Sequence, residues 1–193
     1  MLKCNQEVIY LQYWKKRVKM KFKGQEIDAI QLLGKGKGGY SYLVNYEGRQ
    51  CVLKKFHNEE VSYYTFSRPK LELELRDYQR LKNAGILIPE LYLTDSENQM
   101  LLKQYIPGPT CYELVKNGLM SDEIVSLVRA MYKKLYPIGL NIDYYPTNFI
   151  YSKNELYYID YECNQYSDEW NFENWGIKYW SQTPEFLEVL KNE

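Results

Sequence analysis

The stretch Ile30–Val44, reading IQLLGKGKGGYSYLV, constrains this chain more than any other. Apolar runs flank a glycine-dense turn in which Gly34, Gly36 and Gly39 stand as G-x-G-x-x-G. Gly48 then breaks the chain before a second apolar run, Cys51–Phe56. The pattern predicts a β-hairpin, a tight turn and a third strand. Glycines in such a turn let backbone N–H groups close over phosphate oxygens with no Cβ in the way. A dinucleotide-binding βαβ unit needs a helix directly after its glycines, whereas YSYLVNY is β-rich, which argues against that fold. With Gly near 7% of average usage, this spacing arises by chance in ~6% of chains of this length, so the turn needs company.

The company begins at Lys54. It sits in Val52-Leu53-Lys54, and a lysine inside an apolar strand is costly unless its ammonium meets an anion. The alternative is that Lys54 points to solvent by alternation beside Lys55; one of the two must face inward, and the spacing, twenty residues after Gly34, favours Lys54. From Arg68 to Ala84 the pattern turns helical, with Leu71, Leu75, Tyr78 and Leu81 on one stripe and Gly85 as the stop. Glu72 and Glu74 lie in that helix, and either is a candidate partner for Lys54. Two strand-like runs follow, 91–94 and 100–106. The cluster Pro107-Gly108-Pro109 is the best boundary signal, giving expected lobes at 1–106 and 107–193.

The second half reads mainly as helix. Ser121 is an N-cap candidate with Asp122 and Glu123 in the first turn, and Ile124, Val128, Met131 and Leu135 lie on the apolar stripe. Next comes Asn141–Glu162, NIDYYPTNFIYSKNELYYIDYE, with two short strands around a polar turn at Ser152–Asn154. A hairpin there gathers Asp143, Asn148 and Asp160 near one end of a ribbon. Two carboxylates and an amide oxygen are hard ligands suited to a hydrated Mg²⁺ that carries phosphates. Asp and Asn are also ordinary turn formers. Trp170, Trp175 and Trp180 form an aromatic repeat whose commonest meaning is core, with a docking surface as the alternative, and a last helix is expected over Pro184–Leu190.

Composition narrows the classes. Lys+Arg and Asp+Glu both number 25, so no net field draws in nucleic acid or an anionic membrane. The basic run at 13–23, YWKKRVKMKFK, alternates Val18, Met20 and Phe22 with lysines, and a strand with one solvated face is its commoner meaning. Nucleic-acid binding through residues 15–23 is therefore not expected. Four scattered cysteines suggest neither a disulfide framework nor a zinc site. No run approaches the ~18 apolar residues of a membrane span, and the start lacks an apolar signal-peptide core. A cytoplasmic protein is expected.

Taken in order, a glycine-rich β-turn, a strand lysine, a helix glutamate, a Pro/Gly hinge, D-x₄-N and I-D resemble the protein kinase-like superfamily over Leu32–Glu162. The resemblance implies an α+β, bilobal kinase-like fold with a truncated helical C-terminal lobe. It implies that Gly34, Gly36 and Gly39 cover the phosphates of ATP, that Lys54 anchors them, and that Glu74 (or Glu72) pairs with Lys54. LLKQYIPG is similar to the hinge, so the backbones of Gln104 and Ile106 would meet the adenine edge. Asp143 falls where the catalytic Asp lies, and Asn148 and Asp160 where Mg²⁺ is held. The departures are specific. Asn141-Ile142 replaces the usual His or Arg before the catalytic Asp. Lys103 precedes the hinge where an apolar residue is usual. D-F-G has become Asp160-Tyr161-Glu162, a form similar to choline and aminoglycoside kinases. With 31 residues after Glu162, neither a peptide-binding activation segment nor a full helical lobe is expected.

The acceptor is weighed by chain length. The 37 positions from Ile106 to Asp143 leave little room for the inserted helices that small-molecule kinases of this kind use. They match the short segment of RIO-type and KEOPS-type kinases. A minimal atypical serine/threonine protein kinase is the expectation. A small-molecule hydroxyl kinase and a nucleotide-binding pseudokinase or ATPase-type switch are the alternatives.

Overall fold

In the computed structural model, which describes residues 18–36, 38–57 and 70–192, alternation makes the first strand. β1 (Lys19–Phe22) buries Met20 and Phe22 and leaves Lys19 and Lys21 in water, with Lys19 3.3 Å from Glu26 on the next strand. The basic residues 15–17 lie outside the described residues. β2 (Gln25–Lys35), β3 (Gly39–Tyr46) and β4 (Arg49–Phe56) continue the meander. Its hairpin turns, Lys23-Gly24 and Glu47-Gly48, have positive φ at both residues, as the tight turns whose twist suits a hairpin require.

β5 (Leu91–Asp95) and β6 (Met100–Gln104) complete a sheet in the order β1-β2-β3-β4-β6-β5, antiparallel throughout. One core of this sheet is built from residues such as Phe22, Val44, Leu53, Met100 and Leu102. Asp95 fastens its two end hairpins. Its carboxylate accepts from the Lys23 N–H at 2.6 Å, the Asn98 N–H at 3.0 Å and Asn98 Nδ2 at 2.9 Å.

Between β4 and β5 runs α1 (Lys70–Asn83), with Leu71, Tyr78 and Leu81 buried. It ends where Gly85 takes φ +68° and the Ile86 N–H reaches back to the Leu81 carbonyl at 3.1 Å. That left-handed closure is favourable for glycine. The chain divides into two units, Met1–Leu71 with Leu91–Tyr105, and Glu72–Glu90 with Ile106–Glu193. The helix therefore counts with the second unit, whereas the sequence reading placed it in the first lobe. Leu81 and Ile86 belong to the second unit's core, which explains the difference.

That second unit holds α2 (Cys111–Lys116), α3 (Asp122–Leu135), short strands β7 (Leu140–Ile142), β8 (Phe149–Ser152), β9 (Glu155–Tyr158) and β10 (Cys163–Gln165), and α4 (Pro184–Lys191). Ser121 caps α3 as its chemistry predicts, accepting from the Ile124 N–H at 3.4 Å. β8 pairs with β9 as the expected hairpin, and β7 pairs with β10, a two-stranded ribbon that the sequence reading did not include. The three-residue β7 and β10 carry too little periodicity to read locally. α2 also escaped the sequence reading, although Thr110-x-x-Glu113 is a capping box and both halves of it form.

The core centres on Val128, Leu135, Tyr144, Phe149, Phe172 and Trp180. Of the three tryptophans expected inside, only Trp180 is buried, its Nε1 donating to the Tyr144 carbonyl at 2.7 Å. Trp175 is half-buried, and Trp170 is 51% exposed and packs edge-on against it. Cys51, Cys111 and Cys163 are free and buried. No helix among the described residues is long and apolar enough to cross a membrane. The molecule thus has the α+β, kinase-like fold that the resemblance implied.

Candidate functional site

In the first unit the glycine turn closes on itself. The Gly36 N–H donates to the Gly39 carbonyl at 2.9 Å, and His57 N–H to the Gly38 carbonyl at 3.1 Å. Register shifts between Leu32 and Gly34, so the β2–β3 ladder is irregular where the glycines begin. The three glycines differ in why they are small. A Cβ on Gly39 would lie 2.6 Å from the Lys55 carbonyl, so β4 itself demands glycine there. A Cβ on Gly34 would meet nothing within 4 Å, and one on Gly36 only the Gly39 carbonyl at 3.9 Å. Neither of these two has positive φ. The folded chain leaves their smallness without an internal cause.

Lys54 lies on β4 opposite Ser41 and Leu101. It is half-buried, with Nζ 5.5 Å from the Phe56 ring centre, while Lys55 is exposed. Gln104 closes β6, opposite Cys51. Lys103, the unusual residue before the hinge, is 5% exposed and stands opposite Val52 and Leu91.

In the second unit α1 carries Glu74 half-buried and Glu72 exposed, and Ile106 is buried. Asp143, Asn148 and Asp160 are gathered by backbone wiring. Asp143 leaves the end of β7 and accepts from the Tyr145 N–H on Oδ1 at 3.0 Å. Pro146 opens a single 3₁₀ turn to Asn148, whose N–H donates to the Tyr145 carbonyl at 2.9 Å. Asn148 Nδ2 then donates to the Asp143 carbonyl at 3.4 Å, which turns the amide oxygen the other way. The Asn148 carbonyl accepts from the Ile159 N–H at 2.9 Å, locking this loop to the base of the β8–β9 hairpin. Lys153-Asn154, both at positive φ, make that hairpin's turn. Asp160 follows Ile159 and accepts from the Tyr161 N–H on Oδ1 at 2.8 Å.

Tyr158 holds these pieces in place. Its side chain is fully buried, and its hydroxyl donates to the Glu162 carbonyl at 2.8 Å. Burial pushes that hydroxyl well above its ordinary pKa, and the charges of Asp160, Asp143 and Glu162 push it the same way. Tyr161 is buried as well, donating to the Pro89 carbonyl at 2.6 Å with its ring 4.8 Å from that of Tyr78 on α1.

Sequence reasoning missed Tyr158 and the buried Asp77 of α1. Among so many tyrosines nothing singled out Tyr158. Asp77 did carry a signal, an acid on the apolar side of a helix with arginines at 76 and 80.

The donor set suits Mg²⁺. No cluster of three or more His, Cys, Asp or Glu poised to cage a metal occurs among the described residues. An amide oxygen and a carboxylate are what Mg²⁺ accepts when water and phosphate fill its other positions.

Comparison with known proteins gives relatives of one kind. The chain is 30% identical over 124 residues to YrzF of Bacillus subtilis, named as a candidate serine/threonine-protein kinase, covering 64% of this chain and 52% of that protein. It is 25% identical over 144 residues to the EKC/KEOPS complex subunit bud32 of Dictyostelium discoideum, covering 67% and 57%. It is 22% identical over 132 residues to the KEOPS complex subunit Bud32 of Pyrococcus abyssi, covering 67% and 60%. The matches span little more than half the length of these curated relatives. No family model matches the chain.

Proposed function

We propose, on the premise that this chain is a minimal, atypical protein kinase-like protein, that it transfers the γ-phosphate of ATP to a hydroxyl, and that the hydroxyl belongs to serine or threonine of a protein. The observation that carries the reading is the wiring of Asp143, Asn148 and Asp160 into one locked loop-and-hairpin. Phosphoryl transfer asks little covalent chemistry of a protein and much positioning and charge neutralisation.

Each residue then has a task. Gly34 and Gly36, whose missing Cβ atoms the fold itself does not require, let backbone N–H groups approach the phosphates. Lys54 meets the α- and β-phosphates, with Glu74 as its partner. Gln104 and Ile106 present backbone groups to the adenine edge. Asn148 and Asp160 hold Mg²⁺, which supplies charge neutralisation at the phosphate oxygens. Asp143, held by the Tyr145 N–H, orients the acceptor hydroxyl and takes its proton as oxygen bonds to the γ-phosphorus and the β–γ bridge breaks to release ADP.

The protein acceptor is favoured by what lies between Ile106 and Asp143. That interval folds into the six-residue α2, the fourteen-residue α3, a 3₁₀ turn and β7, with no added helices to enclose a small molecule. The experiment is transfer from γ-labelled ATP with Mg²⁺ into the chain itself, a generic basic protein, or a panel of alcohols and aminoglycosides. Label on protein is expected. Label confined to the small alcohols would overturn the acceptor class, and nucleotide binding without any transfer would make the chain a nucleotide-binding switch.

A further inference from the structure

Asp77 is a buried carboxylate of the second unit that the proposed mechanism leaves without a task. It is 5% exposed and lies on α1, one turn beyond Glu74. Its Oδ1 accepts from Arg76 Nε at 2.9 Å and from Arg80 Nη1 at 3.0 Å. Its Oδ2 faces the backbone N–H of Cys163 at 3.5 Å. Arg80 Nη1 also donates to the Cys163 carbonyl at 3.3 Å. One helical turn thus takes hold of both backbone groups of a single residue 86 positions away in sequence.

The place of Cys163 gives that grip its consequence. Cys163 opens β10, opposite Ile142 of β7, and Ile142 immediately precedes Asp143. On its other side it follows the proposed Mg²⁺ ligand Asp160, with Tyr161 and Glu162 between. Tyr161 is pinned in parallel, through Pro89 and the Tyr78 ring. Asp77 is desolvated while Arg76 and Arg80 stay partly exposed, so the cost of burying its charge offsets much of the attraction it gains. The consequence of the arrangement is therefore geometric.

We propose that Asp77 and Arg80 are positioning residues: they bind the Asp160–Cys163 segment to the helix that carries Glu74, so that the Mg²⁺-binding carboxylate is held in its working place. The inference rests on the phosphotransferase reading above. Outer groups that orient metal ligands typically change metal affinity 10- to 100-fold when lost. Asp77 and Arg80 act at one remove further, through the backbone.

The test is the rise in unfolding temperature caused by ADP, titrated with Mg²⁺ and repeated in excess EDTA, for wild type, Asp77→Asn, Arg80→Gln and Arg80→Lys. In Asp77→Asn and Arg80→Gln the Mg²⁺ concentration for half-maximal stabilisation should rise about tenfold. Their metal-free nucleotide increment should stay at the wild-type value, and Arg80→Lys should fall between. Arg80 is partly exposed, so its variants fold even if Asp77→Asn does not. An unchanged Mg²⁺ titration, or an equal loss with and without metal, would make the clamp merely structural and overturn the inference. If wild type itself gains nothing from Mg²⁺, the phosphotransferase reading fails first.

Discussion

The glycines separate two kinds of constraint at single positions. Gly39 is fixed by packing: in Gly39→Ala the new methyl would sit 2.6 Å from the Lys55 carbonyl. Forcing a core apart in this way costs about 1–3 kcal/mol, measurable by denaturant titration. Gly34→Ala meets nothing and should leave stability unchanged while weakening nucleotide binding. Equal effects of the two on stability would contradict the assignment. All three glycines were legible in the sequence, but their reasons were not, because only the folded β4 supplies the Lys55 carbonyl. The same holds for Tyr158, whose partner Glu162 is a backbone group, and backbone groups leave no mark in a sequence.

Among elements, the long strands and α1 were legible because alternation and the i, i+4 stripe persist over several turns or pairs. The three-residue β7 and β10 were not, because they exist only through pairing between residues 21 to 25 positions apart. The Asp95 tie between the end hairpins of the sheet is likewise non-local. Burial opposes its charge, yet the donors from Lys23 and Asn98 outweigh burial and hold its carboxyl below the ordinary value. A depressed carboxyl contributes stability above the unfolded value, near ~3.9, and loses it as pH falls through the folded value. Asp95→Ala should therefore cost about 1.5–3 kcal/mol at neutral pH, the range for hydrogen bonds to a charged group. The gap from wild type should close in acid. Denaturation curves at pH 7 and pH 3 check this, and a gap of constant size would contradict it.

At the scale of the molecule, the proposed site residues are spread along the chain between Gly34 and Asp160, and the sequence made their order readable because each group needs its own local motif. Whether Glu72 or Glu74 turns inward was left open because a helix face is not fixed by spacing alone; Glu74 is the half-buried one. Lys54→Ala and Asp160→Ala should each abolish most of the nucleotide-induced rise in unfolding temperature. Undiminished stabilisation in both would contradict their place at the phosphates.

The most direct measurement compares wild type with Asp143→Ala in the same two assays, nucleotide binding and γ-phosphate transfer with Mg²⁺. The account predicts equal binding, with transfer reduced ~10²-fold or more by loss of the positioned acid–base group. Transfer at the wild-type rate in Asp143→Ala would remove that residue from the chemistry and contradict the reading of the site.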